Sequence, residues 1–146
     1  MAIKKYPVRL ISPAAGDAEG VFVHDEAVDR PDQKTLTLQF LNAEIVARAS
    51  DYFEALCQIR DTLEKDGWRP VCYGSSRNVY PSGMGRDMGR GLKAYRLELG
   101  RTAKISDLVA IFDSGPDVQL SSVEEQKQFW KCWLRSRGIE PRDNPL

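Results

Sequence analysis

The sequence predicts an α+β domain in which a mainly antiparallel sheet of about five strands packs against one long helix and a C-terminal helix. Three observations carry that reading. Apolar and polar residues alternate in "KTLTLQFL" and in "LKAYRLELG", the period of strands with one buried and one wet face. From Ala43 the period shifts to steps of three and four, through Ile45, Ala49, Tyr52, Leu56, Ile59 and Leu63. Near the C-terminus, "SSVEEQKQFWKCWLRSRG" carries the start and stop signals of a helix.

Taken in order, Tyr6–Ser12 and Gly20–Asp25 read as strands separated by the turn-rich "PAAGDAEG". Lys34–Leu41 sets Leu36, Leu38 and Phe40 on one face and Thr35, Thr37 and Gln39 on the other. The long helix runs from about Ala43 to Asp66, with Val46 and Phe53 widening its stripe. Asn42 is placed to cap it, Glu44 and Arg48 to pair four apart, and Gly67 to end it in the left-handed conformation. Trp68–Ser75 reads as a strand, a glycine-rich loop follows, and Leu92–Gly100 alternates again, so the loop joins two neighbouring strands. Ile105–Asp113 reads as a short helix started by Ser106 or Asp107 and broken by "SGPD". In the C-terminal helix, Ser121 with Glu124 or Ser122 with Glu125 makes a capping box, and Val123, Trp130, Trp133 and Leu134 supply the apolar face. Residues 1–138 thus form one domain and 139–146 a loose tail.

The 21 basic and 21 acidic residues cancel, so no general affinity for nucleic acid or anionic membrane is indicated. The charge is not evenly spread: Ser76–Lys104 holds seven basic residues against Asp87 and Glu98. Cys57, Cys72 and Cys132, odd in number and widely spaced, read as reduced core thiols in a reducing compartment. No charged-then-apolar leader and no run near the ~20 residues that span a bilayer is present, which makes the cytoplasm the expected location.

The patterns that carry chemistry fail one by one. In "YGSSRNVYPSGMGRDMGRG" the Lys-Ser/Thr of a phosphate-binding P-loop is missing, and the loop opens onto a strand instead of a helix. Ser82 lacks the glycine two residues earlier that a nucleophile elbow needs. His24 and Cys72 could form a nucleophilic pair, but Cys72 reads as a small core side chain and His24 as a surface strand end. One histidine and scattered cysteines offer no metal-ligand spacing, and Asp25, Asp29 and Asp32 read as solvated loop acids. Trp130 and Trp133, three apart, read as core packing. The expectation is a protein that is not an enzyme and takes no cofactor or metal. What remains is the basic, methionine-bearing loop. Arginine, methionine and tyrosine are enriched at protein interfaces, and the loop is long for an idle hairpin connection. It either grips another protein or packs on its own sheet.

"VCYGSSRNVYPSGMGRDMGRGLKAY", continued by "LVAIFDSGPDV" and "SVEEQKQFWKCWL", resembles the immunity proteins encoded beside polymorphic toxins of contact-dependent and type VI secretion systems. The resemblance covers roughly Leu56 to Leu134, with "VYPSGM" and "MGRGLKAY" its most specific parts. It implies a cytoplasmic bacterial inhibitor that binds one cognate toxin domain, blocks its active site and performs no catalysis. Many inhibitors of nucleases in such pairs are strongly acidic. This neutral chain departs from that pattern, which argues against a nuclease target or moves the contact to Asp25–Asp32. The residues themselves nominate Arg77, Asn78, Tyr80, Met84, Arg86, Asp87, Met88 and Arg90 as the partner-binding set. A second copy of the chain is kept open as a partner. The alternative is a small enzyme or ligand-binding domain that uses loop 74–91.

Overall fold

The computed structural model describes residues 2–141. Its larger sheet is antiparallel throughout, in the order β4-β3-β2-β1-β5. β1 (Ile3–Ser12) and β2 (Gly16–Asp25) form a hairpin in register from Ile3 opposite Asp25 to Ser12 opposite Gly16. Both strands outrun their sequence signatures, because the turn-rich "PAAGDAEG" spends only residues 13–15 on the turn. β3 (Lys34–Phe40) keeps the predicted alternation, with Leu36, Leu38 and Phe40 buried.

The main correction concerns the long helix. Ala43–Ala49 is a strand, β4, paired with β3 along its whole length. Leu41 and Asn42 take φ values of 51° and 60°, the two left-handed positions of a type I′ hairpin turn, so Asn42 turns the chain and caps nothing. Glu44 and Arg48 accordingly lie on a strand and not one helical turn apart. "AEIVARA" satisfies both periods, and the ladder to β3 together with burial of Ala47 decides for strand.

Helix α1 is therefore Tyr52–Glu64, and Asp51 is its cap, its Oδ1 accepting from the Glu54 N–H at 2.8 Å. Gly67, at φ 78°, follows the helix in the left-handed conformation as predicted. α1 lays Phe53, Leu56, Ile59 and Leu63 on Val8, Leu10, Phe22, Leu36 and Leu38, forming the core.

The predicted strand Trp68–Ser75 is only β5 (Arg69–Pro70) before a 3₁₀ turn at Tyr73–Ser75. A second, three-stranded antiparallel sheet holds β6 (Val79–Tyr80), β7 (Lys93–Arg96) and β8 (Leu108–Ala110) in that order. The segment expected to be a short helix, Ile105–Asp113, makes one 3₁₀ turn at Ile105–Asp107 and then β8, because Leu108–Ala110 pairs with Lys93–Tyr95.

The remaining helices are α2 (Gly83–Asp87) and α3 (Val123–Ser136). In α3 the capping box is Ser122 with Glu125, and the only fully buried helix residue among those described is Gln126, not an apolar one. Trp130 and Trp133 are half-buried, so the expected core packing is partial. Trp130 stacks on Tyr80 at 4.6 Å and Trp133 donates its indole N–H to the Arg101 carbonyl. Of the predicted tail, residues 142–146 lie outside the described residues.

A buried arginine ties α1 to the 3₁₀ turn and to the start of α3. Arg60 of α1 donates to the Gly74 carbonyl at 3.0 Å, the Gln126 Oε1 at 2.6 Å and the Ser121 carbonyl at 3.0 Å. The Gln126 amide in turn donates to the carbonyls of Gly74, Ser76 and Val79. This network holds the 3₁₀ turn, β6 and the start of α3 against α1.

Candidate protein-interaction surface

Between β6 and β7 the glycine-rich stretch folds into α2 and a tight return. Pro81–Ser82 stops the strand, and the Ser82 Oγ caps α2 by accepting from the Gly85 N–H at 2.9 Å. That hydroxyl is engaged in the fold. The chain then doubles back, with the Gly91 N–H donating to the Gly85 carbonyl at 2.9 Å. Gly91 sits at φ 72°, and a Cβ there would lie 2.7 Å from the Asp51 carboxylate and 2.9 Å from the Phe53 nitrogen. Only glycine lets the return pass so close to the start of α1.

The nominated residues separate into two groups. Asn78, Tyr80 and Arg86 are half-buried and engaged in the fold, and Arg77, though exposed, also packs on its own domain. Arg77 lies over the Phe129 ring at 4.9 Å. Asn78 accepts from the Ser76 hydroxyl, and its carbonyl accepts from the Leu97 N–H. Tyr80 is wedged between Trp130 and Phe53, and burial pushes its phenol pKa up. Arg86 is held by the carboxylates of Asp51 at 3.3 Å and Glu54 at 3.8 Å, with its guanidinium over the rings of Phe53 and Tyr80. Burial raises the Glu54 pKa, and Arg86 works against that rise.

The second group faces outward. Met84 and Met88, four apart along α2 and its last turn, are 71% and 79% exposed. Asp87 is exposed beside them. Arg90 is exposed but tethered: it forms an ion pair with Glu26, which holds that carboxyl below its usual range, and its carbonyl accepts from the Tyr52 N–H at 2.9 Å. Met84, Met88 and Arg90, with Leu92, Lys93, Tyr95 and Leu108, line an open groove of about 500 Å³.

No family model matches this chain, and no curated protein sequence does. The surface has to be judged on its own chemistry.

Leu92, Lys93, Tyr95 and Leu108 were not nominated from the sequence. The helical reading of its segment hides Leu108, whereas Lys93 and Tyr95 stand two apart in the alternating stretch Leu92–Gly100 and so share a strand face.

The other candidates are placed elsewhere. His24 is buried and not at the surface: its Nε2 meets the Tyr6 hydroxyl at 3.1 Å, its ring packs 4.3 Å from that of Tyr52, and burial lowers its pKa. Cys72 is wholly buried against the Ser75 hydroxyl, and burial drives its thiol pKa up. Cys57 is also buried, its pKa pushed up to about 12, but Cys132 is exposed on α3 and is not a core thiol. Asp29 is no solvated acid either: its Oδ1 accepts from the Thr35 N–H, and its Oδ2 is buried without a partner. Among the described residues, no three His, Cys, Asp or Glu side chains cluster as metal ligands would. No helix among them is long and apolar enough to cross a membrane.

Proposed function

We propose that this chain is a toxin-neutralising immunity protein: a cytoplasmic bacterial inhibitor that docks on one cognate toxin domain and covers its active site. The observation that carries the reading is the pair Met84 and Met88, held out to solvent on a helix whose other side is bolted to the domain. Large exposed apolar side chains that are rigidly displayed suit the centre of a protein interface. The resemblance of "VYPSGM" and "MGRGLKAY" to immunity proteins supports the same reading. The exposed Lys93 beside the groove favours a toxin surface with an apolar projection next to a carboxylate.

The test is co-expression with a toxin encoded beside it: restored growth and co-elution of the two proteins as one stoichiometric complex are expected. Met84→Glu with Met88→Glu abolishes rescue and complex formation while leaving the melting temperature within a few degrees of wild type, since neither side chain is buried. Full protection by that double variant would refute the assignment of this surface. No protection by the wild-type chain would refute the function. The groove also has the volume of a small-molecule site. Under that second reading the double variant loses binding of an apolar small ligand in place of a protein.

A further inference from the structure

The larger sheet ends in β4, which pairs on one side only. We propose that two copies of this chain associate through antiparallel pairing of β4 with β4 about a two-fold axis at Val46, making one continuous sheet. The two edges of the five-stranded sheet differ sharply. At one end β5 is two residues long and ends in Pro70, which blunts it. At the other end β4 runs for seven residues, contains no proline or lysine, and keeps unbroken register with β3 from Ala43 to Ala49 without a bulge. Natural sheets rarely leave such an edge bare.

Hydrogen-bond geometry fixes which residues would pair. The two-residue turn at Leu41–Asn42 makes Phe40–Ala43 the closing bonded pair, so bonded pairs recur at Leu38–Ile45, Leu36–Ala47 and Lys34–Ala49. The N–H and C=O groups of Glu44, Val46 and Arg48 therefore point away from β3. Among the described residues, none of these three takes part in a backbone hydrogen bond outside the ladder. An antiparallel partner centred on Val46 meets all three at once, with about six new backbone hydrogen bonds.

In that register the side chains match. Val46 faces the partner's Val46, Glu44 faces the partner's Arg48, and Arg48 faces the partner's Glu44. All three are exposed on the face of the sheet away from α1, with Val46 45% exposed. Glu44 and Arg48 make no ion pair within their own chain among the described residues; Glu44 meets only the Gln39 amide at 3.3 Å. The sequence "AEIVARA" thus places opposite charges symmetrically about one apolar residue, which is the arrangement an isologous interface requires. None of the residues of the α2 surface belongs to this edge.

The test is the molar mass of the full chain by light scattering and sedimentation at roughly 1 to 500 μM, the range in which small interfaces dissociate. The wild type is expected at twice the chain mass at the upper end. Glu44→Arg and Arg48→Glu, each of which sets like charges opposite one another, weaken association by about tenfold or more. The double exchange, Glu44→Arg with Arg48→Glu, restores it, because the pairs are re-formed with reversed polarity. Val46→Lys gives a monomer with unchanged circular dichroism. A wild type that stays monomeric throughout would overturn the proposal. So would a dimer indifferent to the single exchanges, or a double exchange that fails to recover.

Discussion

Arg60 is the best place to test how the fold is held, because it is a buried cation that makes no ion pair among the described residues. Among the described residues its acceptors are the Gly74 and Ser121 carbonyls and the Gln126 Oε1, and burial depresses its pKa. In Arg60→Met, the Gly74 carbonyl keeps its bond from the Gln126 amide at 3.0 Å, but the Ser121 carbonyl and the Gln126 Oε1 lose their donor. Each buried acceptor left alone costs about 1–3 kcal/mol, and removal of a desolvated charge returns part of that. The expected net loss is about 2–4 kcal/mol. Gln126→Leu deprives the guanidinium of its one side-chain acceptor among the described residues and the Ser76 and Val79 carbonyls of a donor, so its loss should be of similar size. The double variant contains neither an orphaned Oε1 nor an under-satisfied guanidinium. Its loss should therefore fall short of the sum of the singles by about 1–2 kcal/mol. Urea unfolding followed by tryptophan fluorescence measures all four proteins at equal m-values. Strict additivity, or a loss under about 1 kcal/mol for Arg60→Met, would show that the network is incidental to stability.

Two further outcomes follow from buried groups. His24 has its pKa lowered by burial, so the unfolded chain takes up the proton first, near pH 6.5. Stability from this group is complete above that pH and declines as pH falls below it toward the folded value. The urea midpoint should thus drop between pH 7.5 and 5.5, and His24→Phe, which keeps a ring against Tyr52, should flatten that drop; an unchanged pH profile in the variant would contradict the account. Of the three cysteines, only Cys132 is exposed, so one thiol should react quickly with a disulfide reagent in the native state and the other two only on unfolding. Two or more fast thiols would mean that the core around Cys57 or Cys72 opens freely.

The parts legible in the sequence are those decided by neighbours along the chain. The alternation of β3, the Ser122–Glu125 box of α3 and the stop at Gly67 all depend on residues within one or two turns of each other. β4 and β8 were read as helix because their strand character comes from a ladder to another segment, and each also fits a helical period over so short a stretch. The candidate surface divides in the same way. Residue type correctly pointed to the loop, and Met84 and Met88 do face outward. Residue type could not show that Arg86 would be claimed by Asp51, 35 positions away, or Arg90 by Glu26, 64 positions away. An arginine has the same side chain whether it grips a partner or its own domain. What decides is a carboxylate brought near by topology.

That topology explains how a five-residue helix can serve as a docking element. α2 is far too short to be stable by itself. Its order is imposed from outside by the Ser82 cap, the hold of Asp51 and Glu54 on Arg86, the ion pair of Arg90 with Glu26, and the bond from Tyr52 N–H to the Arg90 carbonyl. Helical geometry places Arg86 on the side opposite Met84 and Met88, so the tether to Asp51 and Glu54 lies behind the helix and leaves the two methionines to solvent. The entropy of ordering the loop is thereby spent during folding and not at the encounter with a partner, which is the general condition for a small apolar contact to bind tightly. Asp51 is central to this arrangement. One of its carboxylate oxygens caps α1 and the other holds Arg86, so the start of the longest stretch of buried helix and the display of the two methionines depend on the same side chain.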